Sequence, residues 1–304
     1  MEGYQEKPVW LTLLLIGLGS VMGLAIGSTM GLGIASLIYT GESNIAQGII
    51  NMEDEALRVP LLVIQGMTTL LGFLLVPYLI WKSIRKRSIS FFNPKSVYLI
   101  SFLLVAFIVI LFIIIDSVII EWNQSIHFPD FLKGFEKWAR EKEDQLEKVT
   151  KLLTNFSSFQ EFVIAFVVVA ILAAVCEEFL FRGIVQTELF RGTKNIHVAI
   201  WVSAFIFSAI HTQFFGFIPR MLLGALFGYL YHWSGNLWIP MFAHFIHNGF
   251  TIVMIYLFHL KIIDTDLDSS TPVSWPVVII SACATVILLF YFRNRFHSSK
   301  PTIV

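Results

Sequence analysis

Cysteine is scarce: Cys176 and Cys283 are the only two in 304 residues, and both stand inside apolar runs. That excludes a disulfide framework and a cysteine-ligated zinc site. Charge is scarce too, at 14 % of residues, where soluble domains carry about 25 %. Lys+Arg and Asp+Glu balance at 21 each, so the chain offers no basic surface and no nucleic acid is expected as a partner. Apolar residues fill the space, with 56 % hydrophobic residues, 29 phenylalanines and a mean hydropathy of +0.75. Polar surface is too limited to coat a globule. Disorder, collagen and coiled coil fall to the same numbers. What remains is an all-α polytopic membrane bundle with the lipid bilayer as its main solvent.

A spanning helix needs about 20 apolar residues. Eight segments qualify, near 9–38, 60–81, 97–120, 162–186, 197–215, 217–232, 236–258 and 275–293. The first is Gly-rich, and its flank from Met1 to Pro8 lacks the basic charge of a signal peptide. Loop charge sets direction. Lys82, Arg85, Lys86, Arg87 and Lys95 mark one side, as do Arg293, Arg295 and Lys300. Acidic loops carrying Glu42, Glu53, Asp54 and Glu55, or Asp264, Asp266 and Asp268, mark the other. Eight spans with both termini cytoplasmic satisfy these asymmetries. The organisation expected is a three-span region over 1–120, an extramembrane amphipathic helix within 121–160, a core over 161–258, and an acidic loop, last span and basic tail over 259–304. Phe131, Phe135, Trp138, Leu146, Val149, Leu153 and Phe156 recur at helical spacing in the second piece. It reads as a helix on the membrane surface or capping the bundle, with a substrate lid as the alternative.

Gly19, Gly23, Gly27 and Gly31 form a bare stripe on the first span, and Gly224 with Gly228 repeats the device. Close helix packing is its expected use. Polar residues inside apolar spans need stronger reasons, since each charge at a helix centre costs about 2.5–3.5 kcal/mol. Three segments concentrate them: AILAAVCEEFLFRGIVQ with Glu177, Glu178 and Arg182, FIFSAIHTQ with His211, and WIPMFAHFIHNGF with His244, His247 and Asn248. Glu178 and Arg182 share a helix face and can form a salt bridge, whereas Glu177 lies about 100° round. His244 and Asn248 also share a face, and His247 sits beside them. A register-fixing polar network would not need two histidines. Carboxylate, imidazole and amide together suit peptide hydrolysis, which needs a base, a proton shuttle and oxyanion donors. Asp116, in FIIIDSVII, reads as a structural partner, and Cys176 as an apolar filler.

Glu177-Glu178-x-x-x-Arg182, Phe207-x-x-x-His211 and His244-x-x-x-Asn248 resemble, in order, the three motifs of the CPBP intramembrane protease family. That family comprises CAAX prenyl proteases and bacteriocin-processing or self-immunity proteins. The resemblance covers about 160–258 and includes GALFGYLYHWSGNLWIPMFAH. It implies an intramembrane endopeptidase acting on a membrane-associated protein or peptide. Glu177 and His211 would activate water, His244 and Asn248 would stabilise the oxyanion, and Glu178 and Arg182 would support them. His247 is not required by the motif. The metal question stays open at this level: Glu177, His211 and His244 could hold zinc, while a carboxylate-activated water needs none and is the favoured reading. Two other classes compete, a non-catalytic binding or immunity protein on the same fold and a proton-coupled transporter. Intact motifs argue against the first, and the absence of repeat symmetry against the second.

Overall fold

The structure, a computed structural model, describes residues 7–41, 44–51, 54–263 and 273–297. Glu42, Glu53, Asp264, Asp266, Asp268 and Lys300, counted above among the loop charges, lie outside the described residues, as does most of the Met1–Pro8 flank. Among the described residues the architecture is helical throughout, with no strand. The principal helices are α1 (Val9–Ile38), α2 (Glu55–Arg85), α3 (Leu99–Gln124), α4 (Lys133–Thr154), α5 (Phe159–Thr193), α6 (Ile196–Ala209), α7 (Phe217–Ser234), α8 (Trp238–His259) and α9 (Trp275–His297). Six of them, α1, α2, α3, α5, α8 and α9, are long and apolar enough to cross a bilayer. This is a multi-pass membrane bundle. The fifth and sixth expected spans correspond to α6, with 14 residues, and α7, with 18.

The glycine stripe of α1 lies against α2. A Cβ at Gly27 would stand 2.6 Å from the Met67 carbonyl oxygen, and one at Gly31 would stand 2.7 Å from Ile64 Cα. Backbone meets backbone there, as a small-residue seam permits. Gly17 and Gly33, outside the stripe, have open space around them. The seam holds α2 in place to pack on α5, whose Leu172 and Val168 approach Gly66.

Buried ion pairs lock each end of α2. Arg58 donates to Glu161 at 2.5 Å, to Ser157 Oγ at 2.9 Å and to the Leu152 carbonyl at 3.0 Å. At the opposite end Arg85 pairs with the fully buried Glu188, which also accepts from Trp81 Nε1 at 3.2 Å. Arg85 is therefore an interior residue and not a free loop charge, because Glu188 compensates it.

The helix expected within 121–160 forms as α4 and caps the Arg58 end. Phe128 and Phe135 pack on Phe214, Arg140 lies 4.2 Å over the Phe215 ring, and Glu143 accepts from the Phe215 amide at 3.1 Å. Asn123, at the end of α3, donates to the Phe214 carbonyl and accepts from the Ile218 amide, both at 3.3 Å. The turn joining α6 to α7 is thus held by α3 and α4. Glu136 fixes the start of α4. It accepts from the Phe128 amide, Arg140 and His127, and these hydrogen bonds hold its carboxyl down at about 2. Burial, by contrast, pushes the Glu143 carboxyl up.

Candidate active site

Helix α5 is not uniformly α-helical. It widens to π geometry over Phe166–Leu172 and again over Phe179–Gln186, leaving Ala173–Glu178 as a short α-helical stretch between. π segments leave backbone groups shifted from the regular ladder and recur at functional sites. Both carboxylates, Glu177 and Glu178, end that central stretch.

Glu178 is wholly buried and charge-compensated. Its Oε1 accepts from Arg182 Nη1 at 2.7 Å and from His244 Nδ1 at 2.8 Å. The other Arg182 nitrogen, Nη2, donates to the Gly224 carbonyl at 2.9 Å. The Phe207 and Phe227 rings lie within 4.6 and 5.5 Å of the guanidinium carbon, so the cation also gains from aromatic faces. Gly224 makes this a close contact, since a Cβ there would stand 3.2 Å from Arg182 Nη2. One turn on, Gln186 Nε2 donates to the Gly228 carbonyl at 3.1 Å. The glycines of α7 therefore do more than allow helix packing: they let two polar side chains of α5 reach its backbone.

Glu177 is different. It is slightly exposed, at 13 %, and its Oε2 stands 4.0 Å from His244 Nε2. That is too long for a direct hydrogen bond and short enough for one water to touch both groups. His244 is consequently held between the two glutamates and stacked on Phe227 at 5.3 Å. The Phe207 ring packs against both His211 and His244, with centroids 5.2 and 6.1 Å away.

Hydrogen-bond partners assign the ring protons. The Phe207 carbonyl can only accept, so His211 Nδ1, 2.8 Å away, carries the hydrogen and Nε2 keeps its lone pair in the neutral ring. The same logic assigns His244 Nδ1–H to Glu178, leaving Nε2 toward Glu177. Asn248 does not keep its amide free. Nδ2 donates to the Val169 carbonyl at 2.9 Å, and Oδ1 accepts from His247 Nδ1 at 3.2 Å. Neutral His244 thus has no hydrogen to give an oxyanion, and Asn248 has only the second of its amide hydrogens.

Zinc ligation by Glu177, His211 and His244 was the metal-bearing alternative. Among the described residues no three His, Cys, Asp or Glu side chains converge closely enough to hold an ion.

Cys176 is buried and Asp116 nearly so, its Oδ1 lacking a hydrogen-bond partner. Sequence reasoning overlooked Arg220 at the start of α7. Its Nη2 donates to Gln213 Oε1 at 2.5 Å, and its Nη1 is buried without a partner. The signal was available, since Arg220 is the lone acid or base in the apolar run from 214 to 231. Glu143 was equally hidden, because its role depends on α4 folding over the α6–α7 turn.

Residues 159–250 match the family described as type II CAAX prenyl endopeptidase Rce1-like. The uncharacterised protein YpbD of Bacillus subtilis (strain 168) is 35 % identical over 95 residues, 30 % of this chain and 46 % of that protein. The membrane-embedded CAAX protease MroQ of Staphylococcus aureus (strain USA300) is 33 % identical over 91 residues, 28 % of this chain and 36 % of that protein. The chain therefore matches under half the length of these curated relatives. No solved structure matches it.

Proposed function

Because residues 159–250 belong to the CPBP/CAAX protease family, we propose that this chain is an intramembrane endopeptidase that hydrolyses a peptide bond of a membrane-associated protein or peptide. The observation that carries the reading is the unequal treatment of two adjacent carboxylates. Glu178 is committed to Arg182 and His244, while Glu177 has no hydrogen bond to protein among the described residues and faces His244 Nε2 across 4.0 Å. An uncommitted carboxylate beside a lone-pair nitrogen is suited to holding and deprotonating water.

In this reading Glu177 takes the water proton and His211 Nε2 accepts the second water hydrogen, fixing the lone pair toward the substrate carbonyl. His244, held to Glu178, and Asn248, through its remaining amide hydrogen, line the oxyanion position. Arg182 pairs with Glu178, which holds the His244 ring in place. The water is activated without a metal. We place both termini on the cytoplasmic side, a reading supported by Lys82, Lys86, Arg87 and Lys95 and by Arg293 and Arg295.

The test uses the purified full chain in phosphatidylcholine vesicles with internally quenched apolar peptides of about 20 residues. Cleavage by the parent and its loss in Glu177→Gln support the reading. Equal cleavage by both overturns it.

A further inference from the structure

Helices α5 and α7 run parallel, since Arg182 reaches Gly224 and Gln186 reaches Gly228, the same offset one turn apart. Carried one turn the other way, that offset sets Glu178 level with Arg220. Arg220 is also tied to the turn that bears His211: Nη2 donates to Gln213 Oε1 at 2.5 Å, and a Cβ on Gly216 would stand 3.1 Å from that nitrogen. The guanidinium thus sits at the turn of His211, on the part of α7 that is level with the two glutamates. No carboxylate forms an ion pair with it among the described residues, and Nη1 is buried with its hydrogens unused. An enclosed N–H left in that state is costly unless something else completes it.

We infer that Arg220 is a further catalytic residue, whose free Nη1 holds the carbonyl oxygen of the scissile peptide as that oxygen gains negative charge. The inference rests on the hydrolytic reading above. Elimination supports it. His244 Nδ1 is given to Glu178, His211 Nδ1 to Phe207 and Asn248 Nδ2 to Val169. The second Asn248 amide hydrogen is a neutral donor, whereas Arg220 stays a charged donor in every protonation state.

The step balances without a further reactant. The water oxygen bonds to the carbonyl carbon, its proton passes to Glu177, and the carbonyl π pair moves onto oxygen, facing Arg220. When the tetrahedral species collapses, that pair re-forms the C=O bond and the C–N bond breaks. Glu177 then returns its proton to the leaving nitrogen. The products are an amine and a carboxylic acid, which ionises.

The experiment adds Arg220→Gln and Arg220→Lys to the vesicle assay, with thermal midpoints measured alongside. Arg220→Gln should lower kcat about 100- to 1000-fold, the usual effect of losing one oxyanion donor, with KM changed less than about threefold. Arg220→Lys should recover part of that loss. A peptide aldehyde of the cleaved sequence, whose hydrate imitates the tetrahedral species, should bind Arg220→Gln more weakly by a similar factor. Arg220→Gln retaining kcat within about threefold, while Glu177→Gln is inactive, overturns the Arg220 role and leaves the hydrolytic reading standing. Parent and Glu177→Gln cleaving equally overturns both. If Arg220→Gln fails to accumulate, Arg220→Lys decides. A kcat loss with weakened aldehyde binding supports the role, and a loss confined to KM or to thermal stability overturns it.

Discussion

His244 joins two glutamates of opposite character: it donates Nδ1–H to Glu178 at 2.8 Å and turns Nε2 to Glu177 at 4.0 Å. The imidazole thereby carries the order of a fully buried ion pair across to a partly open carboxylate. Changes on the two sides of that ring should give different results.

Glu178→Gln removes the charge that compensates Arg182, with both residues buried. Breaking such a pair costs about 3–5 kcal/mol. The variant should show a lower thermal midpoint and poorer accumulation together with lost activity, whereas Glu177→Gln should lose activity alone. Equal midpoints for Glu178→Gln and the parent would contradict the assignment.

Metal content can be measured without knowing the natural substrate. Protein stripped by a chelator and passed through a desalting column should keep its peptide cleavage, with metal well below one ion per chain. Activity that vanishes on chelation and returns with stoichiometric zinc would replace the metal-free water by a ligated one.

The α1–α2 seam predicts a sharp positional contrast. Gly27→Ala places a methyl group against the Met67 carbonyl and the Thr68 backbone, so the helices must separate, at a cost of about 1–3 kcal/mol. Gly33→Ala meets nothing within 4 Å and should be neutral or slightly stabilising. Thermal unfolding in one detergent compares the two, and equal effects would refute the seam.

At the α4 cap, Glu136 is held near 2 from an ordinary value of 4.5 by the Phe128 amide and then by Arg140 and His127. A lowered carboxyl stabilises the folded form above its ordinary value. That contribution declines as pH falls through 4.5 and is gone below about 2. Hydrogen-exchange protection of the Phe128 amide, measured against the intrinsic rate at each pH, should be high at neutral pH and fall in acid. Glu136→Gln should show the lower protection already at neutral pH. Unchanged exchange in that variant would remove Glu136 from the cap.

Local chemistry made much of this legible in the sequence. Long apolar runs must be helices in lipid, where the backbone has to satisfy itself, so α1, α2, α3, α5, α8 and α9 stand near their expected places. Spacing of four residues placed Glu178 beside Arg182, because helical geometry fixes that distance wherever the helix lies. Which partner takes each remaining proton could not be read in this way. His244 meets Glu178 across 66 positions, Asn248 meets Val169 across 79, and Glu143 meets Phe215 across 72. Those bonds depend on how helices cross and rotate, which is settled by the glycines of α1 and α7 and by the π turns of α5. Arg220 shows the same division: the sequence supplied a lone charge in an apolar run, and only the packing of α7 against α5 and the His211 turn left one of its nitrogens buried and unpaired. Residue type and spacing act along one helix, whereas a site drawn from three helices exists only after they have packed.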